Sequence, residues 1–244
     1  MKSVAGILLL LSITCVSAAG MQHEQQCVIL LHGLGRTSLS MEPIASRLRA
    51  AGYCVYNKGY PSRDDDIDWL AASAIGDALA FCERANAQRI HFVTHSMGGI
   101  LVRQYLQEHR IEGLQRIIML SPPNQGSEVA DLLRDNYLYR LVTGPAGQQL
   151  GTGPDSIVAE LAPVPGEIGI ITGSSSFDPW FSQLIPGADD GKVSITSAQL
   201  AEMQDFLVVE DGHTFIMYDN AVIGQILQFL DSGRFIHKTT QTAH

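Results

Sequence analysis

The chain reads as an α/β fold: a mainly parallel sheet of about six strands flanked by helices, with one small insertion. Three observations predict this. Short apolar runs alternate with amphipathic stretches from Val28 onward, the pattern of a parallel sheet covered on both faces. No long polar linker, repeat or low-complexity tract divides the chain. Its 244 residues suit a single domain with one large core.

Val28-Ile29-Leu30-Leu31 reads as a buried strand. Met41 to Ala51 then reads as a helix closed by Gly52. Tyr53 to Tyr56 forms a second strand. Asp66 or Asp68 can cap the next helix, whose apolar positions Ile67, Leu70, Ala74, Ala78 and Cys82 recur at helical spacing. Ile90 to Thr94 is the third strand, followed by a helical pattern from Ile100 to His109. Ile117 to Leu120, Ile168 to Thr172 and Phe206 to Val209 make the fourth, fifth and sixth strands, and Asn220 to Leu230 a closing helix.

Residues 122–165 break the rhythm. They show no clear strand and become rich in Gly and Pro toward their far end. One helix is expected there, Glu128 to Leu133, beside an aromatic and apolar patch at Tyr137, Leu138, Tyr139 and Leu141. Connections this long inside a compact domain usually serve a function. The segment is expected to form a small cap over a site mouth; the alternative is a surface excursion that packs its own side chains.

The chain begins with Lys2, an apolar run from Val4 to Ile13, and small residues at Val16-Ser17-Ala18 or Ser17-Ala18-Ala19. This predicts a signal peptide over residues 1–19 and a mature α/β domain over 20–244, periplasmic or secreted. The run is too short to span a bilayer, so no stable membrane insertion is expected once the signal is removed. Ser12-Ile13-Thr14 is a poor context for lipidation at Cys15.

Loss of Lys2 would take the net charge from −9 to −10. Such an acidic, well-mixed chain argues against nucleic acid and anionic membranes as partners, but leaves open a small-molecule or lipid ester bound by apolar surface. Cys27, Cys54 and Cys82 lack metal-ligand spacing, so no metal is expected. Cys27 and Cys54 each open a strand candidate; if those strands are neighbours, these two thiols are the expected disulfide.

Thr94-His95-Ser96-Met97-Gly98-Gly99 carries the most chemistry. It lies directly between a strand and a helix, where a tight turn can expose a serine hydroxyl at the sheet end. Gly98 and Gly99 let strand and helix approach, while Thr94 stands where glycine is common. A serine there can also be a simple helix N-cap. Serine needs a base, and the base an orienting acid. Asp189-Asp190-Gly191 follows the fifth strand, and His213 follows the sixth. In parallel α/β sheets, reacting groups gather at such carboxyl ends.

With these segments in that order, the chain resembles the α/β-hydrolase superfamily, and within it the small bacterial lipase and esterase branch. Leu31-His32-Gly33-Leu34-Gly35 is similar to the His-Gly oxyanion loop of those lipases. Thr94 to Gly99 resembles their elbow, Asp190-Gly191-Lys192-Val193 their acid loop, and Gly212-His213 their closing histidine. The likeness runs from about Val28 to about Leu230, and six core strands imply a minimal version of the fold.

The resemblance implies Ser96 as nucleophile, His213 as general base and Asp190 as orienting acid, without a cofactor. It implies an oxyanion hole from the N–H groups of Met97 and Leu34. Asp190 could instead be a turn residue, leaving Asp189 or Asp178 as the acid. His32 is expected to shape the oxyanion loop. His32, His95, Tyr137 and Tyr139 are candidate substrate-binding residues. His23, His237 and His244 fall near the chain ends.

The implied activity is hydrolysis of carboxylic esters through an acyl-enzyme on Ser96. The same groups would serve an acyltransferase or an amide, thioester or lactone hydrolase. A third reading is a non-catalytic binding module on a hydrolase fold.

Overall fold

The computed structural model describes residues 25–176, 182–183 and 185–237. The expected signal peptide, Cys15, His23, Asp178 and His244 lie outside the described residues.

Six strands form one sheet: β1 (Gln26–Leu31), β2 (Cys54–Tyr56), β3 (Arg89–His95), β4 (Leu114–Leu120), β5 (Glu167–Gly173) and β6 (Asp205–Val209). Their spatial order is β2-β1-β3-β4-β5-β6, and every pair is parallel. The expected α/β class and strand count therefore hold, with strand ends differing by one to three residues. All carboxyl ends lie at one edge, where the connections after β1, β3, β5 and β6 can meet.

Four larger helices cover the sheet: α1 (Glu42–Ala50), α2 (Ile67–Arg84), α3 (Met97–Glu108) and α8 (Asn220–Ser232). α1 follows a single 3-10 turn at Ser38–Met41. Asp66 caps α2, its carboxylate accepting from the Trp69 N–H at 2.9 Å. Alternate residues of β1 point to opposite faces. Cys27, Ile29 and Leu31 join Leu70, Ile75, Phe92, Ile100 and Leu101 beneath α2 and α3. Val28 and Leu30 join Ile44, Leu48, Val93, Ile226 and Phe229 beneath α1 and α8. Burial of β1 on both faces explains its unbroken apolar sequence.

The insertion carries α4 (Glu128–Leu133), α5 (Tyr137–Gln148) and α6 (Ile157–Glu160). α4 falls where the sequence places it. α5 was not expected, because Gly144 (φ 65°, ψ −168°) and Pro145 interrupt its helical period. A further short helix, α7 (Ile195–Ala198), follows the Asp190 loop. Among the described residues, no helix is long and apolar enough to cross a membrane.

The cysteine expectation needs correction. Cys27 and Cys54 are register partners on β1 and β2, as supposed, yet the disulfide joins Cys27 to Cys82. Side chains of register partners in a parallel pair stand alongside each other, whereas a bridge needs Cβ vectors that converge. α2 lays Cys82 onto the face of β1 that carries Cys27, with a Cα–Cα distance of 5.9 Å. Cys54 remains a free thiol, which burial pushes above its ordinary pKa.

The bridge closes a loop with a sequence separation of 55. Its removal by Cys82→Ala should lower unfolding free energy by about 2–4 kcal/mol, read as a lower urea midpoint. The unsubstituted chain should lose a similar amount on full reduction, and Cys82→Ala should no longer respond to reductant.

Candidate active site

Ser96 sits between β3 and α3 with φ 52° and ψ −124°, outside the ordinary L-residue regions. Its N–H donates to the Leu120 carbonyl at 2.8 Å, tying the turn to the end of β4. A Cβ on Gly98 would lie 2.6 Å from the Leu31 carbonyl oxygen, so glycine is required for α3 to sit this close to β1. The strand–turn–helix expected from the sequence is therefore present, and α3 begins directly at Met97 rather than at Ile100.

His213 and Asp190 arrive on separate loops. His213 Nε2 lies 3.0 Å from Ser96 Oγ, and its Nδ1 lies 2.8 Å from Asp190 Oδ2. The His213 backbone N–H also donates to the Asp190 carbonyl at 2.9 Å. Asp190 Oδ1 accepts the Val193 N–H at 2.9 Å and the Lys192 N–H at 3.1 Å. One carboxylate oxygen is thus held by its own loop, while the other faces the imidazole.

Burial opposes charge on Asp190. The His213 charge and hydrogen bond, the Ser121 hydroxyl and the Val193 N–H outweigh it and hold the carboxyl below its usual range. Ser121, directly after β4, also takes a positive φ of 46°. Asp189 is the turn residue: its Oδ1 accepts from the Gly191 N–H and the Ser182 hydroxyl, each at 2.7 Å. Of the two carboxylates, Asp190 is the one that faces His213.

Met97 is fully buried, and its N–H opens α3 beside Ser96. Leu34 lies in the turn after β1, where the Arg36 N–H donates to the Gly33 carbonyl at 3.1 Å and Gly35 takes φ 67°. Neither the Leu34 nor the Met97 N–H has a protein acceptor among the described residues.

A cavity of about 290 Å³ opens beside Ser96 and His213. Leu34, Val129, Leu133, Val142, Leu150 and Val193 supply much of its apolar wall, with Arg36 and Lys192 as cations. Residues of the insertion, from Val129 to Leu150, thus line part of this cavity. Sequence reasoning gave Arg36 and Lys192 no role, although Arg36 directly follows the Leu31–Gly35 segment and Lys192 lies within the Asp190–Val193 segment it identified.

The four candidate substrate-binding residues divide. Tyr139 lines the cavity, but Tyr137 does not; it points outward and is 75% exposed. Residues two apart on a helix face nearly opposite directions, so α5 cannot turn both inward. His95 reaches the cavity wall, but its Nε2–H donates to the His213 carbonyl at 2.9 Å. Burial, His213 and Arg36 hold His95 well below its ordinary pKa, leaving it neutral.

His32 lies behind the wall rather than in it. Its Nδ1–H donates to the Gly33 carbonyl at 2.9 Å, so it supports the loop instead of touching the cavity. His237, expected in a loose chain end, is held by Asp205 at 2.8 Å. Among the described residues, no group of three or more His, Cys, Asp or Glu side chains could hold a metal ion.

The loop that carries His213 contains a carboxyl of another kind. Burial, then the neighbouring Asp219 carboxyl, push Asp211 up to about 6. A raised folded-state value contributes stability that is complete below the unfolded pKa, about 4, and lost as pH rises through about 6. Asp211→Asn should therefore leave the thermal midpoint nearly unchanged at about pH 4 and raise it at about pH 8. Thermal unfolding across that range checks the sign.

A family model described as the alpha/beta hydrolase family matches residues 28–211. No curated protein matches the chain by sequence. Among solved structures, the mature lipase BlEst2 of Bacillus licheniformis is similar, with TM-score 0.71 at 18% identity, covering 87% of this chain and 93% of that one. The metagenomic carboxyl esterase MGS0156 gives TM-score 0.65 at 17% identity, covering 82% of this chain and 67% of that one. The phospholipase PlaB of Legionella pneumophila gives TM-score 0.59 at 23% identity over 71% of this chain and 45% of its own.

Proposed function

This chain belongs to the alpha/beta hydrolase family, and from that premise we propose that it is a serine hydrolase cleaving carboxylic esters of apolar acids. The observation that carries the reading is the hydrogen-bonded line from Ser96 Oγ through His213 to Asp190, at 3.0 and 2.8 Å, beside an apolar cavity. The lipase and esterase named among the structural neighbours agree with it.

In this reading Ser96 Oγ attacks the ester carbonyl while His213 Nε2 takes its proton. Asp190 holds the imidazole by Nδ1 and stabilises the imidazolium that forms. The N–H groups of Met97 and Leu34 receive the developing oxyanion. Collapse expels the alcohol, protonated by His213, and leaves the acyl group on Ser96. Water, deprotonated by His213, attacks that acyl-enzyme and releases the acid.

The insertion favours an ester of lipid character. Leu132, Tyr137, Leu138, Leu141 and Val142 are all exposed on α4 and α5, next to the cavity. Isolated exposed apolar residues need no explanation, but a cluster does. Export to the periplasm or medium completes the proposal, supported by the Cys27–Cys82 disulfide and the N-terminal apolar run.

Ser96→Ala should reduce ester hydrolysis by at least about 10³-fold and abolish labelling by a fluorophosphonate probe. Asp190→Asn should cost roughly 10³–10⁴-fold in kcat while labelling slows but persists. Full hydrolysis by Ser96→Ala would end this reading.

The cavity of about 290 Å³ and its largely apolar wall suit an acyl chain of medium length better than an acetyl group. Rates across nitrophenyl esters should rise to about that length and fall beyond it. A maximum at acetate would contradict the assignment of the cavity to the acyl group.

A further inference from the structure

We propose that Tyr60 and Ser62, on the connection between β2 and α2, are positioning residues that aim the Leu34 N–H into the site. The inference rests on the reading of Leu34 as an oxyanion donor and deepens it.

The direction of that N–H is set by the peptide linking Gly33 to Leu34. Its carbonyl accepts two hydrogen bonds, from the Arg36 N–H at 3.1 Å and from His32 Nδ1–H at 2.9 Å. In a trans peptide the N–H points opposite to the carbonyl. Fixing the Gly33 oxygen on the far side therefore turns the Leu34 N–H the other way. Leu34 itself forms part of the cavity wall.

Tyr60 holds the histidine that makes one of those bonds. Its ring stacks on the His32 ring at 4.1 Å with an interplanar angle of 11°. Its backbone N–H donates to His32 Nε2 at 3.3 Å. An imidazole that accepts at Nε2 is a donor at Nδ1 when neutral, which is the tautomer the Gly33 carbonyl requires. Burial keeps His32 below its ordinary pKa and therefore neutral. The Tyr60 hydroxyl also donates to the His32 carbonyl, anchoring the peptide one step earlier.

Ser62 holds the peptide one step later. Its buried hydroxyl oxygen accepts the Gly35 N–H at 3.0 Å. The Leu34–Gly35 peptide is the central unit of the turn, the one that rotates when turns interconvert. With the His32–Gly33 and Leu34–Gly35 peptides both tied, the Gly33–Leu34 peptide between them has little freedom to flip. Electrostatic stabilisation depends on such donors being oriented before charge develops.

The same connection also meets the insertion. Gly144, at the break in α5, packs directly on the Arg63 backbone carbonyl, and the Ile67 N–H donates to Gln149 Oε1 at 2.8 Å. Residues 60–67 are thus wedged between the oxyanion loop and the insertion, and both sides limit their movement.

The test uses Tyr60→Phe, which keeps the ring stack and removes only the hydroxyl, and Ser62→Ala. Each is assayed with a nitrophenyl ester, with an alkyl boronic acid that mimics the tetrahedral anion, and with the primary alcohol of the same chain length. A direct binding measurement first tests the underlying reading: boronate binding seen by calorimetry in the wild type should vanish in Ser96→Ala, and its persistence there at wild-type affinity would overturn the oxyanion site itself. With that established, each variant should lose about five- to tenfold in kcat at nearly constant KM. Boronate affinity should weaken by the same factor while alcohol affinity stays at the wild-type value. Unchanged kcat and boronate affinity in both variants overturns the proposal. So does a parallel loss of alcohol and boronate binding, which would mean a damaged cavity instead of a misdirected donor.

Discussion

The site depends on how closely one helix can approach one strand. The first turn of α3 lies against the carboxyl end of β1, and at Gly98 no Cβ could be accommodated against the Leu31 carbonyl. That closeness allows the chain to reverse at Ser96 within a single residue. The strained backbone there costs on the order of 1–3 kcal/mol. It is offset by a strand and a helix whose apolar residues, from Phe92 and Val93 to Ile100 and Leu101, are completely buried. A rigid packed scaffold thus holds the Ser96 hydroxyl at the sheet edge. It also places the first amide of α3 beside that hydroxyl.

Around this turn, parallel topology supplies everything else. β3 lies between β1 and β4, so the loops after β1, β3 and β4 share one edge with those after β5 and β6. The Asp190 loop satisfies one carboxylate oxygen with its own amides and offers the other to His213. A buried charge is tolerable only when its hydrogen-bonding capacity is met. Here the need to satisfy Asp190 and the need to orient His213 are met by the same carboxylate. The insertion follows different rules: its helices give apolar side chains both to the cavity and to the surface.

Much of this was readable from residue order. Continuous apolar runs located the central strands because burial on both faces leaves no polar alternation, and the half-buried edge strands β2 and β6 keep short apolar runs of their own. Asp66 marked the start of α2, since a carboxylate before a helical period satisfies free amides. Four short motifs placed Ser96, Asp190, His213 and the His32–Gly35 loop in order, since each needs local turn chemistry that only certain residues provide. The second insertion helix escaped notice because Gly144 and Pro145 break its period. Tyr137 was grouped with Tyr139 by proximity in sequence, although a helix separates them in direction.

Local sequence alone therefore determined the sheet, its covering helices, the strained serine turn and the identity of the side chains that meet it. Such features follow from periodicity, backbone preference and hydrogen bonding over a few residues. Tertiary packing decided the rest: Cys82 over Cys54 as the partner of Cys27, Tyr60 and Ser62 behind the His32–Gly35 loop, and a neutral His95 tied to the His213 carbonyl. These contacts join residues 27 to 118 positions apart. Their formation depends on which faces of separate elements come together, a relation that no local pattern encodes.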